Sequence, residues 1–165
     1  MKRSLFALIV AFGSWGCSEK QVEPDPQFIL IHLKYGWANE LNTFEQTFQK
    51  DLVLDGVATT DFWFTTKEQE EILAEVESVN FFSLPDTVGY NLVKDTIALF
   101  IQPHPGWQHL RIRHDNQEKT VFWYDLNIYE DEYSASLSKL VRVVIEIIEL
   151  KPAYQALPPA KGGYV

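Results

Sequence analysis

Three histidines fall at intervals of five, His104, His109 and His114, and a repeated imidazole is the first feature of this chain that invites a metal. The interval argues against one. Along a strand an odd separation sends His109 and His114 to opposite faces, and His104 lies in the turn Pro103-His104-Pro105-Gly106, so the three read as independent surface residues. His32 is remote in sequence and has no place in that series. The run Asp125-x-Asn127-x-Tyr129-x-Asp131 begins as a calcium loop does. Its sixth position is Glu130 where a glycine is needed for the turn, and its twelfth is Ser136 where a bidentate glutamate closes the shell. It reads as a solvated acidic connection, with a weak, irregular divalent-cation site as the alternative. Hydrolysis needs two carboxylates held apart across a cleft; Glu40, Asp51, Asp55 and Asp95 are available, and nothing in their spacing selects a pair. The chain has no G-x-S-x-G, H-E-x-x-H, P-loop or G-x-G-x-x-G pattern, and its one cysteine, Cys17, belongs to the N-terminal segment. No catalytic residue, metal ligand or cofactor is therefore assigned, and an enzyme is the lesser expectation.

The aromatic residues are more suggestive. Trp37 sits in the turn Gly36–Asn39, and Trp107 follows Pro105-Gly106. A tryptophan in a turn presents a flat apolar face with one polar edge, suited to anchoring a protein partner or stacking on a sugar. The same residue more often caps the end of a sheet. Trp63 and Trp123 lie in expected strands, where burial explains them.

The elements that must position these side chains follow from periodicity. Residues Thr66 to Phe82 form one amphipathic segment, with Ile72, Leu73, Val76 and Val79 on an apolar stripe and glutamates elsewhere. Thr66 and Gln69 fit a capping box, and Phe81-Phe82-Ser83-Leu84-Pro85 takes the chain out of the helix. Before it, Phe28 to Tyr35 alternates as a strand whose odd face, Ile29, Ile31, Leu33 and Tyr35, is the buried one. Thr43 to Leu54 reads as a second strand, although Phe44, Phe48 and Leu52 at a spacing of four also suit a helix. Asp55-Gly56 signals a tight turn, and Thr59 to Thr65 a third strand. After the helix, Asp95 to Gln102 holds a continuous apolar run expected inside the sheet, and His109 to His114 and Lys119 to Asp125 complete a meander. Ser134 to Leu150 is a second helix with Leu137, Leu140, Val141, Val144, Ile145 and Ile148 on its apolar stripe. Pro152 ends it. The expected class is α+β, an antiparallel sheet of about five to six strands with two helices packed on it, in the order β-β-β-α-β-β-β-α.

The chain of 165 residues suits a single domain at residues 28–151, with a Pro- and Gly-containing tail at 152–165. Its N-terminus is of another kind. Lys2-Arg3, an apolar run from Leu5 to Phe12 and the small-residue approach to Cys17 are the parts of an export signal, and the run is too short to span a bilayer. Residues 18–27, with Glu23-Pro24-Asp25-Pro26, follow as an extended tether. Without Lys2 and Arg3 the 14 basic residues become 12 against 23 acidic, a net charge of −11. So acidic a domain repels phosphate backbones and anionic headgroups, which argues against nucleic acid or a basic membrane patch as its partner.

Ser14-Trp15-Gly16-Cys17 resembles the lipobox of bacterial lipoproteins, with Ser14 where that family usually has an aliphatic residue and a bulky Trp15. The resemblance implies cleavage before Cys17 and lipidation of its thiol, giving a membrane anchor in the bacterial cell envelope, at the outer membrane or cell surface more than free in the periplasm. Several local words, Asn39-Glu40-Leu41-Asn42-Thr43-Phe44, Lys50-Asp51-Leu52-Val53, Phe82-Ser83-Leu84-Pro85 and Leu157-Pro158-Pro159-Ala160-Lys161-Gly162-Gly163-Tyr164, resemble a family of uncharacterised bacterial lipoproteins. The order of elements and the Phe-Phe-x-Leu-Pro helix exit are more distantly similar to emfourin, an inhibitor of thermolysin-type metalloproteases. The expectation is a non-catalytic binding or interaction module of the cell envelope, its partner an envelope protein or glycan and Trp37 and Trp107 its contacts. A protease inhibitor of emfourin type is the first alternative, and a carboxylate- or metal-dependent hydrolase the second.

Overall fold

A computed structural model describes residues 25–89, 105–124 and 132–164. Cys17, most of the tether, the strand expected at Asp95–Gln102, His104 and the run Asp125–Asp131 lie outside the described residues.

The middle strand is β1 (Ile29–Tyr35), whose alternation puts Ile29, Ile31 and Leu33 on one face, all fully buried. It pairs antiparallel with β2 (Asn39–Asn42) on one side and with β6 (Gln108–His114) on the other. Beyond β2 lie β3 (Thr47–Asp51) and β4 (Val57–Asp61); beyond β6 lie β7 (Gln117–Trp123) and the two-residue β5 (Thr87–Val88). The class is α+β as expected, and the described residues form a sheet of seven strands. It is also mixed, because β5 runs parallel to β7.

Two of the described strands are unexpected: β5, and β2, which precedes the strand expected over Thr43–Leu54. The expected strand is shortened to β3, because residues 43–46 form a turn in which Gln46 takes a left-handed φ of 57°. No glycine marks that turn in the sequence. Thr43 closes it from inside: its hydroxyl oxygen accepts from the Ile31 N–H at 2.7 Å, so its side chain serves the backbone where β2 stops. The next strand ends at Asp61 instead of Thr65, because Phe62 and Phe64 leave the ladder to fill the core.

Helix α1 (Thr66–Ser78) is capped one residue earlier than expected. Thr65 and Glu68 form the capping box, leaving Gln69 for another purpose. Gln69 is fully buried, its Oε1 accepts from the Phe28 N–H at 2.8 Å, and its Nε2 donates to the Pro26 carbonyl at 3.1 Å. One amide thus ties the entry of β1 to the first turns of α1. A 3-10 turn at Phe81–Ser83 follows, with Phe81 buried. Helix α2 (Glu132–Leu150) presents the expected stripe with one change: Ile147 is buried and Ile145 only partly so. Both helices lie on the Ile31 face, where Ile72, Val76, Leu140, Val144 and Ile148 join Leu41, Phe48, Leu110, Ile112 and Val121 in one core. Each such side chain contributes about 1.5–3 kcal/mol by leaving water. No described helix is long and apolar enough to cross a membrane.

The tail from Pro152 packs back on the domain. A short helix α3 (Pro152–Gln155) brings Tyr154 and Leu157 against the core. Lys161 then pairs with Val53, exchanging backbone bonds with Leu52 and Leu54, and Tyr164 donates its hydroxyl to Asp51.

Candidate functional site

Both tryptophans expected to be partner contacts follow a glycine in the left-handed region, Gly36 at φ 59° and Gly106 at φ 80°. Each glycine permits a reversal that an L side chain resists, and so each indole is placed at a strand end. The pairing of β1 with β6 then decides their relation. Lys34 is opposite His109, so the exit of β1 lies beside the entry of β6. Trp37 and Trp107, seventy positions apart, consequently border one cleft of about 280 Å³. They are 41% and 49% exposed. Trp37 is backed on one side by Tyr164, whose ring stacks on it at 4.1 Å and 21°. Trp107 meets Tyr124 edge to face at 5.7 Å.

The floor is polar. Lys34, Glu40 and Gln49 form a row across β1, β2 and β3 on the sheet face away from the helices, and Asn39 and Gln108 complete the lining used below. Three amides there are each oriented by one backbone bond. Gln108 Oε1 accepts from the Gly36 N–H at 3.1 Å, Asn39 Oδ1 accepts from the Asp51 N–H at 3.0 Å, and Gln49 Nε2 donates to the Ala38 carbonyl at 2.9 Å. Because each backbone partner has a fixed polarity, the other end of each amide is fixed as well. The charged groups are satisfied by one another. Glu40 Oε1 accepts from His32 Nε2 at 2.6 Å, and its Oε2 lies 3.4 Å from Lys34 Nζ. Burial pushes this carboxyl up, but the hydrogen bond from His32 and the charge of Lys34 outweigh it and hold Glu40 below its ordinary value.

His109 is brought together not with His104 or His114 but with His32, the histidine that spacing could not place. Its Nε2 lies 3.4 Å from His32 Nδ1, with the rings at 83°. Donation from His32 Nε2 to Glu40 leaves Nδ1 as an acceptor for the His109 N–H, a chain of one polarity. Burial, with His32 and Lys34 adding repulsion, brings His109 down to about 4. It is therefore neutral at physiological pH. His114 lies at the opposite end of β6, its ring bonded to the Phe28 carbonyl at 3.0 Å. Among the described residues no group of three or more histidine, cysteine or acidic side chains is gathered as a metal site.

The carboxylates weighed for hydrolysis are not drawn into a pair. Glu40 is held by His32 and Lys34, Asp51 accepts from Tyr164 at 2.8 Å, and Asp55 is bridged by Lys161 at 2.8 Å; Asp95 is outside the described residues. What sequence reasoning missed is the amide trio, because the bonds that orient Gln108, Asn39 and Gln49 are long-range. The one legible trace is the repeated Gly-Trp, followed in the second instance by Gln108. No protein-family model and no curated protein sequence matches the chain.

Proposed function

We propose that the protein is a non-catalytic binding module of the bacterial cell envelope, moored through lipid on Cys17, which takes its partner in the cleft between Trp37 and Trp107. The observation that carries this reading is the convergence of two half-exposed indoles on one polar-floored cleft. Exposed aromatic faces beside oriented hydrogen-bonding groups are what recognition sites are made of. The pairing of Glu40, Asp51 and Asp55 with cations or a hydroxyl supports binding over acid–base catalysis, since none is left poised for a proton. The acidic balance of the chain argues for a partner other than nucleic acid.

The test is retention of envelope material on the immobilised domain, Glu19 to Val165, against the Trp37→Ala/Trp107→Ala variant. Recovery of a protein or glycan by the first and not the second is expected. Equal recovery by both, or none by either, removes the cleft from consideration. Separately, labelling cells with a radioactive fatty acid should mark the protein and leave Cys17→Ser unmarked; label retained in that variant would remove the anchor.

A further inference from the structure

The partner's chemistry can be read from what the cleft has left unused. Its charges are internally satisfied, since one oxygen of Glu40 is bonded to the His32 ring and the other faces the Lys34 ammonium. A charged ligand would have to break that arrangement and leave a partly buried ion without its partner. The neutral groups differ. Among the described residues, nothing is bonded to Gln108 Nε2, Asn39 Nδ2 or Gln49 Oε1, although the opposite end of each amide is anchored to backbone. The cleft thus holds two oriented amide donors and one oriented amide acceptor. Beside them stand two indoles, one backed by a tyrosine ring so that only its other face is available to a ligand.

A ligand matching this set must be uncharged, must both donate and accept hydrogen bonds at several points, and must carry a flat apolar surface for the indoles. A pyranose ring has those properties together: hydroxyls around its rim, and C–H groups on a face that packs against an aromatic plane. We infer that the cleft binds a neutral saccharide, one or two sugar rings of an envelope glycan. This rests on the reading of the Trp37–Trp107 cleft as the binding site. Its volume, about 280 Å³, lies just below the usual range of ligand clefts, roughly 300–1,000 Å³, and suits a short stretch of glycan more than a folded protein surface.

The probes are cellobiose, maltose and N,N′-diacetylchitobiose, titrated into the full-length protein in a detergent without a sugar headgroup. Heat and intrinsic tryptophan fluorescence are both recorded. Saturable binding of at least one disaccharide is expected, with a fluorescence change. Trp37→Ala and Trp107→Ala should each weaken it roughly tenfold or more, as loss of a central aromatic contact does. Gln108→Glu keeps the acceptor that holds Gly36 and removes the amide donor, and should weaken binding about two- to tenfold. Circular dichroism of each variant should match the parent, which separates a lost contact from a lost fold. Because the ligand is uncharged, affinity should hold constant between about 0.05 and 0.5 M salt. No saturable binding to any of the three sugars, or binding indifferent to both tryptophans, overturns the inference. If the tryptophan-dependent capture of an envelope protein nevertheless persists, the ligand class falls while the binding module stands; if capture fails too, both fall.

Discussion

The two faces of β1 are built on different rules, and the comparison separates what holds this protein together from what it offers to a partner. On one face Ile29, Ile31 and Leu33 are wholly buried under α1 and α2, where only shape and volume matter. On the other, His32 and Lys34 stand among Glu40, His109 and Arg111, each in contact with an oppositely charged or hydrogen-bonding neighbour. The open face is therefore polar but mostly occupied with itself. At its end, where the strands run out into the Gly36 and Gly106 turns, three amides have one anchored end and one free. Stability is thus expected to concentrate on the first face and recognition at the rim of the second.

The largest effect should come from the covered face. Leu33→Ala removes a fully buried side chain between Leu41 and Leu110 and should cost about 2–5 kcal/mol by urea denaturation. A loss below about 1 kcal/mol would mean that the helices do not close over β1 as described. Gln69→Leu, similar in size but unable to bond, strands the Phe28 N–H and the Pro26 carbonyl and should cost about 1–3 kcal/mol. If it proved neutral, the buried amide would not be the tie between β1 and α1.

The open face should respond to pH. His109 titrates near 4 in the fold and near its ordinary 6.5 when unfolded, so the unfolded chain takes up the proton first. The resulting stability is complete above about pH 6.5 and is lost as pH falls toward 4. Glu40, also lowered, adds a loss in the same direction below its own unfolded range. The urea midpoint should fall across that window in the parent and fall less in His109→Phe, which retains a ring against Phe122. Parallel curves would show that His109 is not the responsible group.

The smallest effect on stability should come from the cleft. A double-mutant cycle of Trp37→Ala and Tyr164→Ala should return a coupling of about 0.5–1.5 kcal/mol, the value of one stacked pair. Zero coupling would mean that the C-terminal strap does not back the indole.

The buried faces were legible in the sequence because the periods of strand and helix are local. The period-two run at Ile29–Leu33 and the helical stripe at Leu137–Ile148 each announced their inner side. Where a local signal was silent, the reading failed: the turn at Thr43–Gln46 has no glycine or proline, and its left-handed residue is a glutamine. The burial of Gln69 was equally illegible, since a polar residue in a helix start looks like a cap until a backbone from another element arrives to bond it.

By itself, then, the order of residues determined the inner and outer side of β1 and of the two long helices, the limits of those helices to within about a turn, and an acidic balance. Tertiary structure alone decided that Trp37 and Trp107 line one cleft, that His32 pairs with His109, and that three amides line the same cleft. The physical reason is that strand register is set by packing across the whole sheet, and no window of neighbouring residues contains it.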